Sequence, residues 1–149
     1  MGEKKASATE TRDRYPHFLK MSTRWNDNDA YGHVNNAIYY EYFDAVINEY
    51  LIRVGQLDPG KSSAIAYCVE NMCQYHRALG FPETFDAGLR VGKLGNSSVR
   101  YEIGLFSSDQ QHPAATGYFV HVFVDRETTR PVPMPTPIRS ALEKIVVET

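Results

Sequence analysis

The sequence predicts an α+β fold in which one long helix is wrapped by a curved antiparallel β-sheet. Three observations carry this prediction: one segment with helical periodicity, four later segments with strand character, and short turns between those segments. A chain of 149 residues is long enough to bury one such core. We expect a single domain over residues 15–149, preceded by a polar, charged and disordered tail over residues 1–14.

The first strand and the helix come early in the chain. Residues 17–25 have strand character, and a helix is expected over residues 36–53. Its apolar residues recur with a period of 3.6 and define one buried stripe: Tyr39, Phe43, Val46, Ile47, Tyr50 and Val54. We expect Asn35 to be the N-cap and Gly55 to take a left-handed conformation after the helix.

Four further strands are expected over residues 64–77, 85–94, 98–107 and 116–125, which are rich in β-branched and aromatic residues. The short Gly, Pro, Asn and Asp segments between them predict an antiparallel meander. A short helix is expected over residues 138–148, after Pro137. A sheet covered by one helix leaves an open edge, so a homodimer that pairs two edge strands is expected.

Composition excludes several classes of function. The formal net charge is −2 and no Lys/Arg stripe is present, which argues against a nucleic-acid partner. No apolar stretch is long enough for a membrane span or a signal peptide, so a cytoplasmic protein is expected. Cys68 and Cys73 are expected on opposite faces of one strand as reduced thiols. The five histidines are scattered without zinc-ligand spacing, and we expect no metal.

Residues 27–36, "DNDAYGHVNN", gather small polar groups where the long helix begins. This cluster is either an elaborate helix cap or an active site built on a helix N-terminus. The longer run "WNDNDAYGHVNNAIYYEYFD" resembles the signature of hotdog-fold thioesterases of the 4-hydroxybenzoyl-CoA thioesterase type. The segments "LGNSSVRYEIGLF" and "ATGYFVHVFVD" resemble later strands of that family, and the likeness covers residues 17–142.

The resemblance implies a hotdog fold and hydrolysis of an acyl-CoA, or of an acyl carrier protein thioester, by a homodimer or homotetramer without a cofactor. It makes Asp29 the catalytic carboxylate and the backbone N–H of Asn36 the donor to the thioester carbonyl. Gly32 allows the tight turn before the helix. His33 matches a histidine implicated in the related thioesterases that act on acyl carrier protein thioesters. Tyr31 stands where their asparagine would be, and this mismatch argues against their mechanism. Three further residues are expected near the substrate, namely Val34, Asn35 and Tyr39.

The chemistry has a physical basis apart from the resemblance. A thioester carbonyl gains negative charge when it is attacked, and the free N–H groups of a helix start provide a partial charge of about +0.5. A nearby carboxylate either deprotonates water or attacks the carbonyl to form a mixed anhydride. The sequence leaves both routes open.

Several assignments keep alternatives. Asp27 is expected to be structural, and Asn35 is more readily explained as a cap than as a catalyst. The helix carboxylates are rival candidates for Asp29: Glu41, Asp44 and Glu49. Lys93, Ser97 and Ser98 are implied contacts for the coenzyme, and Arg126 or Arg130 are alternative phosphate ligands.

A competing motif lies at residues 55–62, "GQLDPGKS", which fits the Walker A pattern. A true phosphate-binding loop follows a strand and opens a helix, whereas this segment is expected to follow a helix and lead into a strand. The preferred function is therefore an acyl-CoA thioesterase. The alternatives are a non-catalytic protein that binds acyl thioesters or serves in assembly and, less favoured, a P-loop NTPase that uses Lys61.

Overall fold

A computed structural model describes residues 10–147 of the chain. The elements, in order, are β1 (His17–Ser22), α1 (Ile38–Arg53), β2 (Ala64–Tyr75), β3 (Thr84–Leu94), β4 (Ser98–Ser107), β5 (Ala115–Asp125) and α2 (Thr136–Glu143). Short 3-10 turns occupy Arg12–Arg14 and Trp25–Asp27. The α+β class and the order of helices and strands predicted from the sequence are confirmed.

The five strands form one antiparallel sheet with the order β1-β3-β4-β5-β2. The consecutive strands β3, β4 and β5 pair as the meander that their short turns predict. The first two strands lie at the two edges, and the chain crosses from one edge to the other through α1. Among the strands of residues 10–147, β2 therefore pairs only with β5, and one side of its backbone has no strand partner.

Helix α1 packs against the inner face of the sheet. Seven of its residues are buried: Tyr39, Tyr42, Phe43, Val46, Ile47, Tyr50 and Leu51. They meet the inward side chains of the central strands, among them Tyr101, Ile103 and Leu105, all fully buried. The predicted apolar stripe is confirmed except at Val54, which is only partly buried. This packing fixes the N-terminal end of α1 relative to the sheet.

Both predicted ends of the long helix need correction. Helix α1 begins at Ile38 because residues 35–37 form a separate turn, in which the Ile38 N–H donates to the Asn35 carbonyl at 2.9 Å. Ala37 holds the N-cap position, and Asn35 acts through its Oδ1, which accepts the Ala37 N–H at 2.9 Å. At the other end, Gly55 is not left-handed; Gln56 takes that conformation with φ 61°.

The C-terminal helix is also displaced from its predicted range of 138–148. It spans Thr136–Glu143 with Pro137 in its first turn, where the missing proline N–H costs no hydrogen bond. After it, the Val147 N–H donates to the Val91 carbonyl, so the chain leaves the helix to pair with β3. Sheet pairing therefore ends this helix early.

The predicted tail is wrong for residues 10–14, which lie on the outer face of the sheet. Arg12 pairs with Asp86 at 2.8 Å, and the buried Arg90 guanidinium binds Glu10 at 2.7 Å. These long-range ion pairs supply the order that local composition does not predict. Residues 1–9 lie outside the described residues.

The two cysteines lie on the same face of β2, contrary to the prediction. Cys68 pairs with His121 and Cys73 pairs with Gly117, and these partners are four residues apart on β5. A β-bulge between Cys68 and Glu70 adds one residue and reverses the alternation. Both thiols are free.

Candidate active site

Asp27 anchors the segment that joins β1 to α1. Its side chain is fully buried and accepts hydrogen bonds from the Arg24 N–H at 2.8 Å and the Tyr42 hydroxyl at 2.6 Å. Its carbonyl accepts the Asn35 N–H at 2.8 Å, so one residue ties both ends of the segment together. Burial acts to raise the pKa of the Asp27 carboxyl, but these hydrogen bonds and Arg24 hold the pKa below its ordinary value. Asp27 has the arrangement of a structural carboxylate.

Asp29 lies in a tight turn two residues later. Its N–H donates to the His33 carbonyl at 2.8 Å, and its Oδ1 accepts the Tyr31 N–H at 2.8 Å. Gly32 adopts φ +81°, the left-handed conformation that glycine takes without strain, and its N–H donates to the Asp29 carbonyl. The second carboxylate oxygen of Asp29 accepts no hydrogen bond within residues 10–147 and is available to a ligand.

Asn36 occupies the turn before α1 and is exposed. Its carbonyl accepts a hydrogen bond from the Tyr75 hydroxyl at 2.9 Å. Its N–H has no acceptor among the described residues, whereas the neighbouring Asn35 and Ala37 N–H groups both have one. An unpaired N–H at a helix start is a ready donor to a developing oxyanion.

A cleft of about 320 Å³ brings these groups together. Five of the residues predicted near the substrate line it: Asp29, His33, Val34, Asn36 and Tyr39. Gly32 lies in an adjoining cleft of about 380 Å³, which Asp29 also lines. Asn35 lines neither cleft and instead caps the Ala37 N–H.

The far wall of the first cleft comes from residues that the sequence did not reveal. Tyr75, His76, Arg77 and Ala78 end β2 and begin the following loop. They belong to no local motif, and about forty positions separate them from the cluster at 27–36. The only sequence signal near these residues was the predicted end of a strand at residue 77.

Lys93, Ser97 and Ser98 are not brought to this cleft within one chain. The turn between β3 and β4 lies at the end of the sheet where the Ser97 carbonyl accepts the Phe123 N–H. The cleft lies at the other end, near Thr84, and the nine residue steps from Thr84 to Lys93 span ~30 Å of strand.

The alternative phosphate ligands and the Walker-like segment lie outside both clefts. Arg126 donates to the carbonyls of Pro59 and Ser62 and thereby holds the loop after α1. Arg130 lies in the turn after β5, where its carbonyl accepts the Asp125 N–H. Residues 55–62 follow a helix and lead into β2, as expected for an ordinary loop.

The carboxylates of α1 do not line either cleft described above. Glu41 pairs with Arg24 at 3.3 Å, and Glu49 pairs with Arg53 at 2.5 Å. Asp44 accepts the side-chain amide of Asn48 at 3.0 Å. These contacts favour Asp29 over its rivals.

Within residues 10–147 no group of three or more His, Cys, Asp or Glu side chains is arranged to hold a metal ion. Neither helix of the described chain is long and apolar enough to cross a membrane.

Comparison with known proteins points to one family. The profile of the thioesterase-like superfamily matches residues 23–142. The PA5185 protein from Pseudomonas aeruginosa strain PAO1 is 47% identical, with a TM-score of 0.91 over 92% of this chain and 96% of that chain. The uncharacterized protein YsmA of Bacillus subtilis (strain 168) is 25% identical over 123 residues, 83% of this chain and 82% of YsmA. DHNA-CoA thioesterase from Staphylococcus aureus, 19% identical, shares the fold, with a TM-score of 0.77 over 88% of this chain and 96% of its own.

Proposed function

Because the chain belongs to the thioesterase-like superfamily and has its hotdog fold, we propose that it hydrolyses acyl-CoA thioesters to the free acid and coenzyme A. One observation carries this proposal: Asp29 and Asn36 line the same cleft, and each has a group without a protein partner among the described residues, a carboxylate oxygen in Asp29 and the N–H in Asn36. These are the two groups that attack on a thioester carbonyl requires.

Asn36 supplies the oxyanion donor in this mechanism. As the carbonyl carbon becomes tetrahedral, its oxygen gains charge and accepts the Asn36 N–H, reinforced by the N-terminal dipole of α1. A donor of this kind contributes ~3 kcal/mol to the transition state of acyl transfer.

Asp29 activates the nucleophile or is the nucleophile. As a base it takes a proton from water, and the resulting hydroxide attacks the carbonyl and expels the thiolate. As a nucleophile it forms a mixed anhydride with loss of the thiolate, and water then cleaves the anhydride. Rapid quenching during turnover followed by mass spectrometry separates the routes, because only the second adds the mass of the acyl group to the protein.

The complete site is proposed to need a homodimer. β2 is an edge strand whose exposed side chains include Tyr67 and Val69. The start of β2 lies at the same end of the sheet as Ser98, since Tyr67 and Ser98 both pair with Val122. Antiparallel pairing of two β2 strands would place that end of one copy beside Tyr75 of the other. This arrangement gives Lys93, Ser97 and Ser98 a route to the coenzyme.

The function is tested by following free thiol with a disulfide reagent during incubation with short, long and aromatic acyl-CoAs and an acyl carrier protein thioester. We expect turnover by the wild type and a loss of at least a hundredfold in Asp29→Asn. Asp58→Asn is a matched control, because Asp58 accepts the N–H two residues ahead, as Asp29 does, but lies in the loop after α1.

Other outcomes identify the alternatives. Binding of acyl-CoA without turnover by the wild type would favour a non-catalytic acyl-thioester-binding protein. Magnesium-dependent ATP hydrolysis that is abolished in Lys61→Ala and preserved in Asp29→Asn would favour a P-loop NTPase. Equal rates of thioester hydrolysis in Asp29→Asn and the wild type would show that Asp29 only shapes the turn.

A further inference from the structure

We propose that Tyr75 is a positioning residue for this hydrolysis, because its hydroxyl holds the Asn36 segment so that the Asn36 N–H faces the cleft. The effect of Tyr75 on hydrolysis rests on the proposed function. The ordering of the Asn36 segment by Tyr75 rests on the geometry of β2 and α1. No local pattern links the two residues, which are 39 positions apart.

Tyr75 is the last residue of β2 and reaches across the cleft to the start of α1. Its hydroxyl donates to the Asn36 carbonyl at 2.9 Å. Its ring packs edge-to-face on Tyr39, with ring centroids 4.9 Å apart and an interplanar angle of 85°. Tyr39 is buried, so the ring of Tyr75 has a fixed support on one side.

The hydroxyl acts on a turn whose own hydrogen bonds on either side of Asn36 are local. On the N-terminal side of Asn36, the Asn35 carbonyl accepts the Ile38 N–H at 2.9 Å. On its C-terminal side, the Ala37 N–H donates to Asn35 Oδ1 at 2.9 Å. Both restraints are local, whereas the hydrogen bond from Tyr75 ties this turn to the sheet.

Holding the Asn36 carbonyl restricts rotation of the residue that carries the donor N–H. The peptide before Asn36 already has its carbonyl occupied by Ile38, and this polarises the Asn36 N–H toward a further acceptor. Preorganised donors stabilise an oxyanion because no reorientation is needed during the reaction. Burial raises the pKa of the Tyr75 phenol, so it remains protonated and able to donate at neutral pH.

A positioning role differs measurably from direct contact with substrate. Tyr75 is 40% exposed and lines the cleft, so loss of a substrate contact at this residue would raise KM. Loss of positioning instead lowers kcat, because the oxyanion forms only as the carbonyl is attacked. Tyr75→Phe separates these effects, since it removes the hydroxyl and keeps the ring against Tyr39.

The experiment compares Tyr75→Phe with Tyr118→Phe. Tyr118 also donates its hydroxyl across strands, to Glu70, but it lies on the outer face of the sheet. We expect Tyr75→Phe to lower kcat about tenfold with KM changed less than twofold, and Tyr118→Phe to keep both constants near the wild-type values. In amide exchange followed by NMR, we expect Ala37 and Ile38, whose N–H groups both donate to Asn35, to exchange faster in Tyr75→Phe alone.

Two results would overturn the positioning role: wild-type kcat in Tyr75→Phe, or unchanged amide exchange at Ala37 and Ile38 in that variant. A rise in KM at constant kcat would make Tyr75 a substrate contact instead. Absence of turnover in the wild type would overturn the proposed function, and the exchange measurement would still decide whether Tyr75 orders the Asn36 segment.

Discussion

The Tyr42 hydroxyl donates a hydrogen bond of 2.6 Å to the buried carboxylate of Asp27. Tyr42 lies on α1 and Asp27 lies in the segment that leads from β1 to Asp29, so this bond joins the helix to the site loop. Arg24 is the other partner, at 2.8 Å, and its side chain is largely exposed. Tyr42 is therefore the interior partner of a fully buried charge.

Removing that interior partner is expected to destabilise the fold. Tyr42→Phe leaves one oxygen of a buried carboxylate with fewer donors, and the expected loss is about 1–3 kcal/mol of unfolding free energy at pH 7. Urea unfolding measures it. Tyr31→Phe, at a residue 86% exposed, is the control and is expected to change stability by less than 0.5 kcal/mol. Equal stability of the two variants would show that Arg24 alone satisfies Asp27.

Gly32 is expected to resist substitution because of its backbone. At φ +81° an alanine is strained, although no atom lies within 4 Å of the added Cβ. Gly32→Ala should cost about 1–2 kcal/mol in urea unfolding, and Gly32→Asn should cost less because asparagine tolerates this conformation. Gly60→Ala serves as the control, in an exposed loop without a positive φ. A neutral Gly32→Ala would mean that the turn relaxes.

Tyr15 fills a slot formed by two paired glycines. Gly88 and Gly104 are partners in the register of β3 and β4, and a Cβ on either would come within 3.0 Å of the Tyr15 side chain. Tyr15 is 4% exposed, so Tyr15→Ala is expected to cost about 3–5 kcal/mol. Tyr31→Ala, at a residue 86% exposed, should change the unfolding free energy little. A loss below 1 kcal/mol for Tyr15→Ala would show that the slot is not part of the cooperative core.

The sequence predicted the parts of the molecule that local patterns encode. Periodicity located the core face of α1, and the resemblance of residues 27–36 to the family motif indicated Asp29 and Asn36, which both line one cleft. What it missed depends on contacts far apart in the chain. The bulge beside Cys68 is set by pairing with β5, and the order at Glu10 is set by its ion pair with Arg90.

The missed cleft residues have the same explanation. Tyr75 is ordinary strand sequence, and its role emerges only when the end of β2 is placed against the turn before α1. Lys93 is the opposite case, because family likeness placed it near the coenzyme but one chain holds it at the far end of the sheet. In the proposed homodimer, Lys93 of one copy would reach the coenzyme at the cleft of the other copy.

The open edge of β2 makes the dimer testable. Val69 is 60% exposed at the bulge, and a charge there should prevent backbone pairing with another copy. We expect the wild type to have the mass of a dimer in light scattering at micromolar concentration and Val69→Lys to have that of a monomer. Ile52→Lys, on the exposed side of α1, is expected to remain dimeric. A monomeric wild type, or a dimeric Val69→Lys, would contradict pairing through β2.

His121 is expected to make the fold sensitive to mild acid. It is 4% exposed, packs on Tyr101 with ring centroids 5.2 Å apart, and its Nδ1 has no hydrogen-bond partner among residues 10–147. Burial lowers its pKa from 6.5 to about 4, so below pH 6.5 the unfolded chain binds a proton that the folded chain excludes. The contribution of His121 to the unfolding free energy is therefore fully present above pH 6.5 and declines as the pH falls toward 4, by about 2 kcal/mol between pH 8 and pH 5.

Urea unfolding at these two pH values should show that His121→Leu loses about 2 kcal/mol less than the wild type. His33→Gln, at an exposed histidine, should keep the wild-type decline. The same decline in His121→Leu as in the wild type would assign the acid sensitivity to other groups, of which His17, whose pKa burial also lowers, is the first to examine.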